Sequence, residues 1–246
     1  MDNNSLVANW QKVRQQVAEA CIQAGHKATD ALASDKSHNP MSSKEVTLLA
    51  VSKTKPAEMI ATLAKQGQRD FGENYLQEAI EKITALQGQS ETADIVWHYI
   101  GHIQRNKTRD IAEHFDWVQT LERDVIAKRL NDQRPQEMSP LNVLVQVNID
   151  DEESKSGCRP EELPALITTI KGYERLQLRG LMIIPAKADT NAFVRTKQLF
   201  EAMKQAHPEL SAWDTLSMGM SGDMAEAIAS GSTMVRVGTA IFGARD

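Results

Sequence analysis

Short apolar segments recur at regular intervals along this chain, and segments with helical periodicity separate them. The apolar segments are rich in β-branched and aliphatic residues and are shorter than typical helices, so they predict strands. Strands that alternate with helices are typical of a parallel sheet, and such units can close the sheet into a (β/α)8 (TIM) barrel. The predicted strands are 47–52, 69–73, 95–101, 115–120, 142–149, 177–184, 215–220 and 233–238, and the predicted helices between them include 57–67, 75–87, 160–172 and 222–230.

The main alternative to this barrel is an open, doubly wound α/β sheet. That fold usually carries a Gly-rich turn after its first strand, and no such turn follows residue 52 here. We therefore expect one barrel domain over residues 1–246, in which 1–45 form an extra N-terminal helix and a polar linker. The polar stretch 26–44 is expected to be a loose helix end and linker. The leading helix is predicted for residues 5–24 because its apolar residues lie three or four positions apart, namely Leu6, Trp10, Val13, Val17 and Cys21.

Length, charge and cysteine content exclude several classes of protein. A chain of 246 residues can bury a substantial core, as one large barrel or as two small domains. The formal net charge of −5 argues against a general nucleic-acid-binding protein, which usually has a basic excess. Cys21 and Cys158 are far apart and show no metal-ligand spacing, and no signal pattern or membrane-spanning run is present. We expect a cytoplasmic protein with no nucleic-acid or membrane partner.

Lys53 follows the first predicted strand and lies where α/β barrels keep their active sites. An amine that is held among apolar neighbours has a lowered pKa and becomes a better nucleophile for an aldehyde. A lysine at a strand end can instead simply extend to solvent, and Lys53 alone does not decide between the two interpretations. Lys55 would project to the same side as Lys53 if the strand continued through it.

Glycines and hydroxyl residues follow the last two predicted strands. After the seventh strand, Gly219 and Gly222 allow close approach of the backbone to a ligand, and Ser221 or Asp223 could cap the next helix. After the eighth strand, residues 238–240 read Gly-Thr-Ala. Loops at these two positions of a barrel often bind phosphate through backbone N–H groups, although the glycines can also serve only as tight turns. Together with a lysine at a strand end, both loops favour a phosphorylated aldehyde or ketone as the ligand.

Arg236 lies on the face of the last strand opposite to Val235 and Val237. Positions that face the helices prefer aliphatic residues, so Arg236 is expected to point into the barrel or its mouth. A buried arginine needs a partner, because an unpaired buried charge is costly. That partner could be a barrel acid such as Glu73. It could equally be a pyridine nitrogen of a ligand, which the arginine would keep unprotonated, so that the ring becomes a weaker electron sink.

A set of segments in a fixed order runs from the first predicted strand to the C-terminus: 50–56 (AVSKTKP), 71–78 (FGENYLQE), 97–107 (WHYIGHIQRNK), 147–148 (VN), 154–157 (SKSG), 179–182 (RGLM), 217–221 (SMGMS) and 235–243 (VRVGTAIFG). On these segments the chain resembles the pyridoxal 5′-phosphate (PLP) homeostasis proteins, single-domain relatives of the alanine racemase N-terminal barrel (PLP fold type III). The chain departs from the common pattern in its longer polar stretch before the first strand and in His102 and Arg105, none of which touches the cofactor positions.

The resemblance implies that Lys53 holds PLP as a Schiff base. It also implies that Arg236 lies near the pyridine nitrogen and that Asn74 lies beside the cofactor ring. Lys55 and Lys155 match further lysines of the family whose roles stay open, and Lys155 is a hypothetical second, transient PLP site. No catalytic residue and no metal ligand is implied. The residues implied to hold the phosphate are Ser221, Gly238 and Thr239.

The resemblance implies PLP buffering and delivery in vitamin B6 homeostasis, by a monomer with PLP-dependent apo-enzymes as candidate acceptors. A PLP-dependent racemase would need one proton-transfer group on each face of its substrate. Lys53 could serve one face, but Tyr75, Tyr99 and Tyr173 lie in no segment that matches the second role. The competing hypotheses are such an amino-acid racemase and, less favoured, a Schiff-base aldolase that acts on a sugar phosphate.

Overall fold

The structure, a computed structural model, describes residues 1–25, 46–152, 155–186, 189 and 191–244. The predicted linker 26–44 lies outside these ranges. Eight parallel strands form a closed barrel in which each strand pairs with the next in sequence and β8 pairs with β1, which confirms the (β/α)8 prediction. The strands are β1 (Thr47–Val51), β2 (Asp70–Glu73), β3 (Val96–Tyr99), β4 (Trp117–Leu121), β5 (Leu141–Gln146), β6 (Leu176–Met182), β7 (Thr215–Ser217) and β8 (Met234–Val237).

Helices alternate with these strands, and the predicted extra helix precedes β1. Several strands end earlier than predicted: β7 stops at Ser217 because Gly219 has a φ of +96° and leaves the extended conformation. In the described ranges the helices are α1 (Asn3–Gln23), α2 (Ala57–Lys65), α3 (Leu76–Leu86), α4 (Thr108–His114), α5 (Asp124–Gln133), α6 (Leu163–Ile170), α7 (Ala192–Ala206), α8 (Met224–Ala229) and α9 (Thr239–Phe242), with 3-10 turns at Ser90–Thr92 and Arg105–Lys107.

The hydrophobic core has two layers. The larger cluster lies between the strands and the surrounding helices, and it includes Val235 and Val237 of β8. A smaller cluster of Trp117, Leu144 and Met182 is separate from it. Strand alternation places these three side chains inside the barrel, because they lie on the face of their strands opposite to the helix-packed residues.

The helix α1 packs on the outside of the barrel against α2, α8 and α9. The indole Nε1 of Trp10 donates a hydrogen bond of 2.8 Å to Gln68 Oε1, and Gln68 Nε2 in turn donates to the carbonyls of Leu48 and Asp70. The helix is therefore tied to β1 and β2 by polar contacts as well as by apolar packing. The predicted apolar face is confirmed, since its five members are buried: Leu6, Trp10, Val13, Val17 and Cys21.

None of the helices in the described ranges is long and apolar enough to cross a membrane.

Replacement of Leu6 by alanine should destabilise the protein by about 2–5 kcal/mol, because the side chain is fully buried against the barrel and its loss leaves a cavity. Urea denaturation followed by circular dichroism measures this change. The matched control is Ile22→Ala on the same helix, where the side chain is 54% exposed and the expected change is within about 0.5 kcal/mol. Equal effects of both substitutions would contradict the docked position of α1.

Cys158 should not react with iodoacetamide at pH 8 in the native protein. Burial, with Glu162 as a nearby negative charge, raises the pKa of its thiol to about 12, so that the reactive thiolate is scarce. In urea the pKa should return to the ordinary value and the residue should be alkylated within minutes. Mass spectrometry of the Cys158 peptide distinguishes the two states, and rapid native alkylation would refute the prediction.

Candidate functional site

Lys53 lies in the turn that follows β1, and it is partly buried. Backbone hydrogen bonds fix this turn: the Ser52 N–H donates to the carbonyl of Gly72 at 3.0 Å, and the Lys55 N–H donates to the carbonyl of Ser52 at 3.1 Å. Thr54 has a φ of +63°, in the left-handed region that a β-branched residue rarely adopts. Such strain persists only where surrounding contacts impose it, and it is frequent at functional sites.

Lys55 does not continue the strand, so the condition under which it would project to the same side as Lys53 is not met. β1 ends at Val51, and the turn redirects the chain before Lys55. The Lys55 Nζ donates to the carbonyl of Ala244 at 2.7 Å, close to the C-terminus. This contact commits the Lys55 amine to the C-terminal segment of the described chain.

Two residues of α3 bind the peptide groups on either side of Lys53. Lys82 Nζ donates to the carbonyl of Ser52 at 2.8 Å, and Glu78 Oε1 accepts from the Thr54 N–H at 2.6 Å. Lys82 Nζ also donates to Glu78 Oε1 at 2.5 Å, so the two side chains act as one unit. We call this pair the α3 clamp. It holds the backbone of the Lys53 turn and supplies the contacts that the strained Thr54 requires.

Glu73, at the end of β2, lies beneath the α3 clamp and is fully buried. Its Oε1 accepts from Lys82 Nζ at 2.8 Å and from Ser52 Oγ at 2.6 Å. Burial raises the pKa of the Glu73 carboxyl, and the Lys82 ammonium opposes this rise. Lys82 thus has three acceptors, which is the full donor capacity of an ammonium group. Sequence reasoning missed this cluster, although the (i, i+4) spacing of Glu78 and Lys82 after a strand-end glutamate was a usable signal.

Asn74 follows β2 and leaves a buried polar atom without a partner. Its Oδ1 has no hydrogen bond within the described part of the chain. The next loop approaches closely, because a Cβ added to Gly101 would lie 2.1 Å from the Asn74 carbonyl oxygen. A buried amide oxygen normally finds a donor, so Asn74 can accept a hydrogen bond from a bound ligand or from water.

The loop after β7 depends on a glycine. Gly219 has a φ of +96°, and a Cβ there would lie 2.5 Å from the Ala227 Cβ. Asp223 is the N-cap residue of α8 but makes no side-chain capping bond; its Oδ1 accepts from the Met220 N–H at 2.6 Å instead. Ser221 is exposed on this loop, so its hydroxyl is accessible to a ligand.

The loop after β8 packs against the end of β1. A Cβ added to Gly238 would lie 3.1 Å from the Val51 carbonyl oxygen, which is closer than most side chains tolerate. Gly238 is the N-cap residue of α9, and Thr239, the first residue of that helix, is exposed. The β8 loop therefore lies directly beside the turn that carries Lys53.

Arg236 is buried within the barrel, as predicted, with 5% of its surface exposed. Its Nη1 donates to the Ser217 carbonyl and to Ser217 Oγ, both at 2.9 Å, and its Nη2 donates to the Ile183 carbonyl at 2.8 Å. The proposed pairing with Glu73 is not observed, because Lys82 takes that carboxylate. Burial lowers the pKa of Arg236 to about 10, so the guanidinium stays charged at neutral pH.

Lys155 follows β5, which lies on the opposite side of the barrel from β1. Its Nζ donates to Asp150 Oδ2 at 2.7 Å, and Asp150 also accepts from the Ala186 N–H at 2.6 Å. Burial acts to lower the pKa of the Lys155 amine, but the hydrogen bond to Asp150 outweighs it and the pKa is raised. An amine with a raised pKa is protonated at neutral pH and is a poorer nucleophile. Its role as a second PLP site stays a prediction.

The hydroxyls of two of the three tyrosines are committed to acceptors other than Lys53. The Tyr99 hydroxyl donates to the His102 carbonyl at 3.0 Å, and burial raises its pKa. The Tyr173 hydroxyl donates to Asp124 Oδ1 at 2.6 Å, and this bond raises its pKa to about 12. Tyr75, beside Asn74, is half exposed.

The predicted site residues meet at one end of the barrel. Each of them lies near the carboxyl end of a strand or in the loop that follows it. The four strands concerned, β7, β8, β1 and β2, are consecutive around the barrel. This arrangement combines a strand-end amine, a buried guanidinium, an unpartnered amide oxygen and two loops with close backbone approach. It suits a ligand that has a carbonyl group, a ring with an acceptor atom and an anionic group. The residues are Lys53, Asn74, Ser221, Arg236, Gly238 and Thr239.

Comparison with known sequences matches this chain to one family model and to curated proteins of one name. The family described as alanine racemase, N-terminal domain, matches residues 36–246. The pyridoxal phosphate homeostasis protein of Haemophilus influenzae is 56% identical over 206 residues, which cover 82% of this chain and 86% of that protein. The protein of the same name in Escherichia coli K12 is 48% identical over 248 residues and covers 99% of this chain and 98% of its own length.

Comparison with solved structures extends these matches. The structure of PipY from Synechococcus elongatus PCC7942 with PLP bound is 30% identical, with a TM-score of 0.73, and the match covers 92% of this chain and 100% of PipY. A protein from Bifidobacterium adolescentis is 30% identical with a TM-score of 0.82, covering 98% of this chain and 97% of its own. Alanine racemase from Corynebacterium glutamicum, at 14% identity and a TM-score of 0.68, shares the fold over 100% of this chain and 62% of its own.

Gly219→Ala should destabilise the β7 loop by more than about 1 kcal/mol, because the residue needs positive φ and its Cβ would collide with Ala227. Gly222→Ala, three residues along, is the matched control: an added Cβ meets no atom within 4 Å, so the expected change is within about 0.5 kcal/mol. Urea denaturation of both variants measures the difference. A Gly222→Ala variant as unstable as Gly219→Ala would contradict this account of the loop.

Proposed function

The chain belongs to the pyridoxal phosphate homeostasis protein family, built on the alanine racemase N-terminal domain, and we propose that it binds PLP through Lys53 and serves PLP homeostasis. The observation that carries the proposal is the turn of Lys53. The α3 clamp holds both of its flanking peptide groups, and the turn follows Val51, which packs against the β8 loop. Bound PLP would supply an aldehyde that a lysine amine can attack and a pyridine ring that withdraws electrons.

The residues at the mouth fit such a ligand. The unpartnered Oδ1 of Asn74 offers an acceptor for a polar group on the ring. Ser221, Gly238 and Thr239 lie on loops with accessible hydroxyl and backbone groups, which can donate to a phosphate. In the proposed complex Arg236 donates towards the pyridine nitrogen. A donor that keeps its own proton leaves that nitrogen unprotonated, which favours holding the cofactor over using it as an electron sink.

The proposed function is storage and delivery rather than turnover. A racemase needs a second proton-transfer group opposite the lysine, and the hydroxyls of Tyr99 and Tyr173 are committed to other acceptors with raised pKa values. PLP-dependent apo-enzymes are the proposed acceptors of the stored cofactor. A monomer in the cytoplasm is part of the proposal, and a chain with two cysteines that lie far apart in sequence suits a reducing compartment.

Lys53→Ala should abolish covalent binding of PLP, because the α3 clamp holds the two peptide groups that flank Lys53 and presents this amine beside the β8 loop. The readout is the visible absorption band of the purified protein, followed by borohydride reduction and mass mapping of the peptide that carries the phosphopyridoxyl group. Lys55→Ala is the matched control and should retain the band, since Lys55 Nζ binds the Ala244 carbonyl. A colourless wild-type protein that takes up no PLP would refute the proposal and favour a Schiff-base aldolase.

The purified wild-type protein should not sustain the interconversion of L- and D-alanine, because the hydroxyls of Tyr99 and Tyr173 donate to other acceptors and do not supply a second proton-transfer group. Chiral chromatography after incubation with excess alanine measures this. An authentic alanine racemase serves as the positive control. Many turnovers per protein molecule, lost in Lys53→Ala, would establish a racemase instead of a storage protein. Additional loss of this turnover in Tyr75→Phe would identify Tyr75 as the second proton-transfer group.

A further inference from the structure

A continuous chain of hydrogen bonds crosses the inside of the barrel from Arg236 to Asp70. Arg236 Nη1 lies 2.9 Å from Ser217 Oγ, which lies 2.7 Å from Gln119 Oε1. Gln119 Nε2 lies 3.0 Å from His98 Nδ1, and His98 Nε2 lies 2.9 Å from Asp70 Oδ1. We call these five residues the interior chain. It links the mouth of the barrel to the amino-terminal end of β2.

The direction of every bond in the interior chain follows from its first member. A guanidinium can only donate, so Ser217 Oγ accepts from Arg236 and its own proton goes to Gln119 Oε1. The Gln119 amide must then present its NH2 to His98 Nδ1, which leaves the His98 proton on Nε2, where it is donated to Asp70. Each group thus has one donor and acceptor assignment that satisfies its neighbours, and reversing any member would set two donors or two acceptors against each other.

The middle members have no access to solvent. Ser217, Gln119 and His98 are fully buried. The second N–H of Gln119 contacts the Met234 sulfur at 3.1 Å, and the His98 ring stacks on Trp117 at 5.2 Å. His98 lies within β3, and its ring faces the interior of the barrel. A fully satisfied buried network of this kind holds its members rigidly.

We infer that Ser217, Gln119 and His98 are positioning residues that set the direction in which Arg236 faces the ring of the bound ligand. The inference rests on the proposed function, in which Arg236 meets the pyridine nitrogen of PLP. Arg236 has only neutral oxygen acceptors among its described hydrogen bonds, so its orientation depends on where those oxygens lie. Gln119 fixes the Ser217 hydroxyl as an acceptor, and His98 fixes the Gln119 amide, so both act on the ligand site without touching it.

Gln119→Met tests the chain with little change in volume. The variant loses the acceptor for Ser217 and the donor to His98, so the Ser217 hydroxyl is free to rotate and Arg236 is less well oriented. We expect PLP affinity to fall by about tenfold and the absorption maximum of bound PLP to shift, as is common when a supporting partner of a binding residue is lost. The matched control is Met182→Leu, a volume-conserving change inside the barrel at a fully buried residue outside the interior chain. It should leave both quantities unchanged.

Two substitutions of His98 separate positioning from packing. Both remove the ring that stacks on Trp117, but His98→Asn keeps an acceptor oxygen near the position of Nδ1, whereas His98→Leu keeps none. We expect His98→Asn to retain PLP affinity and spectrum within about threefold of the wild type, and His98→Leu to resemble Gln119→Met. Equal defects in the two variants, accompanied by equal loss of thermal stability, would show a packing role and overturn the inference.

A measurement without PLP distinguishes failure of this inference from failure of the proposed function. In the PLP-free protein, NMR can follow the exchange of the Arg236 Nε proton with solvent, and the Arg236→Lys variant identifies the signal of this proton. The exchange rate reports how firmly the guanidinium is held. Exchange should be at least tenfold faster in Gln119→Met and His98→Leu than in the wild type and Met182→Leu. Faster exchange supports positioning even if the wild type binds no PLP, in which case only the proposed ligand is wrong. Unchanged exchange in folded variants overturns the inference, whatever the PLP result.

Discussion

The pairing of β8 with β1 closes the sheet, and each part of the candidate site depends on that pairing. Its register sets Leu49 opposite Arg236 and Ala50 opposite Val237. The loop after β8 consequently lies against the Lys53 turn, with the Gly238 backbone close to the Val51 carbonyl. A shift of one residue would turn Arg236 towards the helices, because alternate side chains of a strand face opposite sides. The lysine and the arginine could not then share one mouth.

Sequence reasoning recovered the barrel because the relevant patterns are local. The strands β1 to β8 are short aliphatic segments with helices between them, and the face of α1 is visible in the spacing of Leu6, Trp10 and Val13. The loops after β7 and β8 could likewise be predicted, since glycine marks positions that need positive φ or close approach.

The rest of the site depends on contacts between residues that are distant in sequence. Nothing local to Lys53 indicates that Lys82 and Glu78 hold its turn, or that Lys82 rather than Arg236 takes the Glu73 carboxylate. The continued strand that would have aligned Lys55 with Lys53 failed for a similar reason, because contacts with α3 hold Thr54 at positive φ. Tertiary contacts of this type override the local preference for an extended chain.

Two buried cationic side chains near the mouth of the barrel, Lys82 and Arg236, differ in the groups that surround their charges. Lys82 forms ion pairs with both Glu73 and Glu78, so its positive charge is compensated within the cluster. Arg236 is solvated by neutral oxygens of Ser217 and Ile183 and makes no ion pair among the residues that the structure describes. The carboxylate of Asp223 acts on its charge without forming an ion pair, so the guanidinium can still favour an electron-rich ligand atom in the mouth.

The closure of β1 on β8 has a consequence for synthesis in the cell. The two strands are far apart in sequence and all the other strands lie between them, so their pairing is a contact of very high sequence separation and has to wait until β8 has been made. Proteins are translated from the N-terminus, and the ribosome delivers Lys53 long before Arg236 and Gly238. The neighbours of this lysine on β8 are thus made after it, so a ligand that needs all of them cannot be acquired before β8 has been synthesised and has paired with β1.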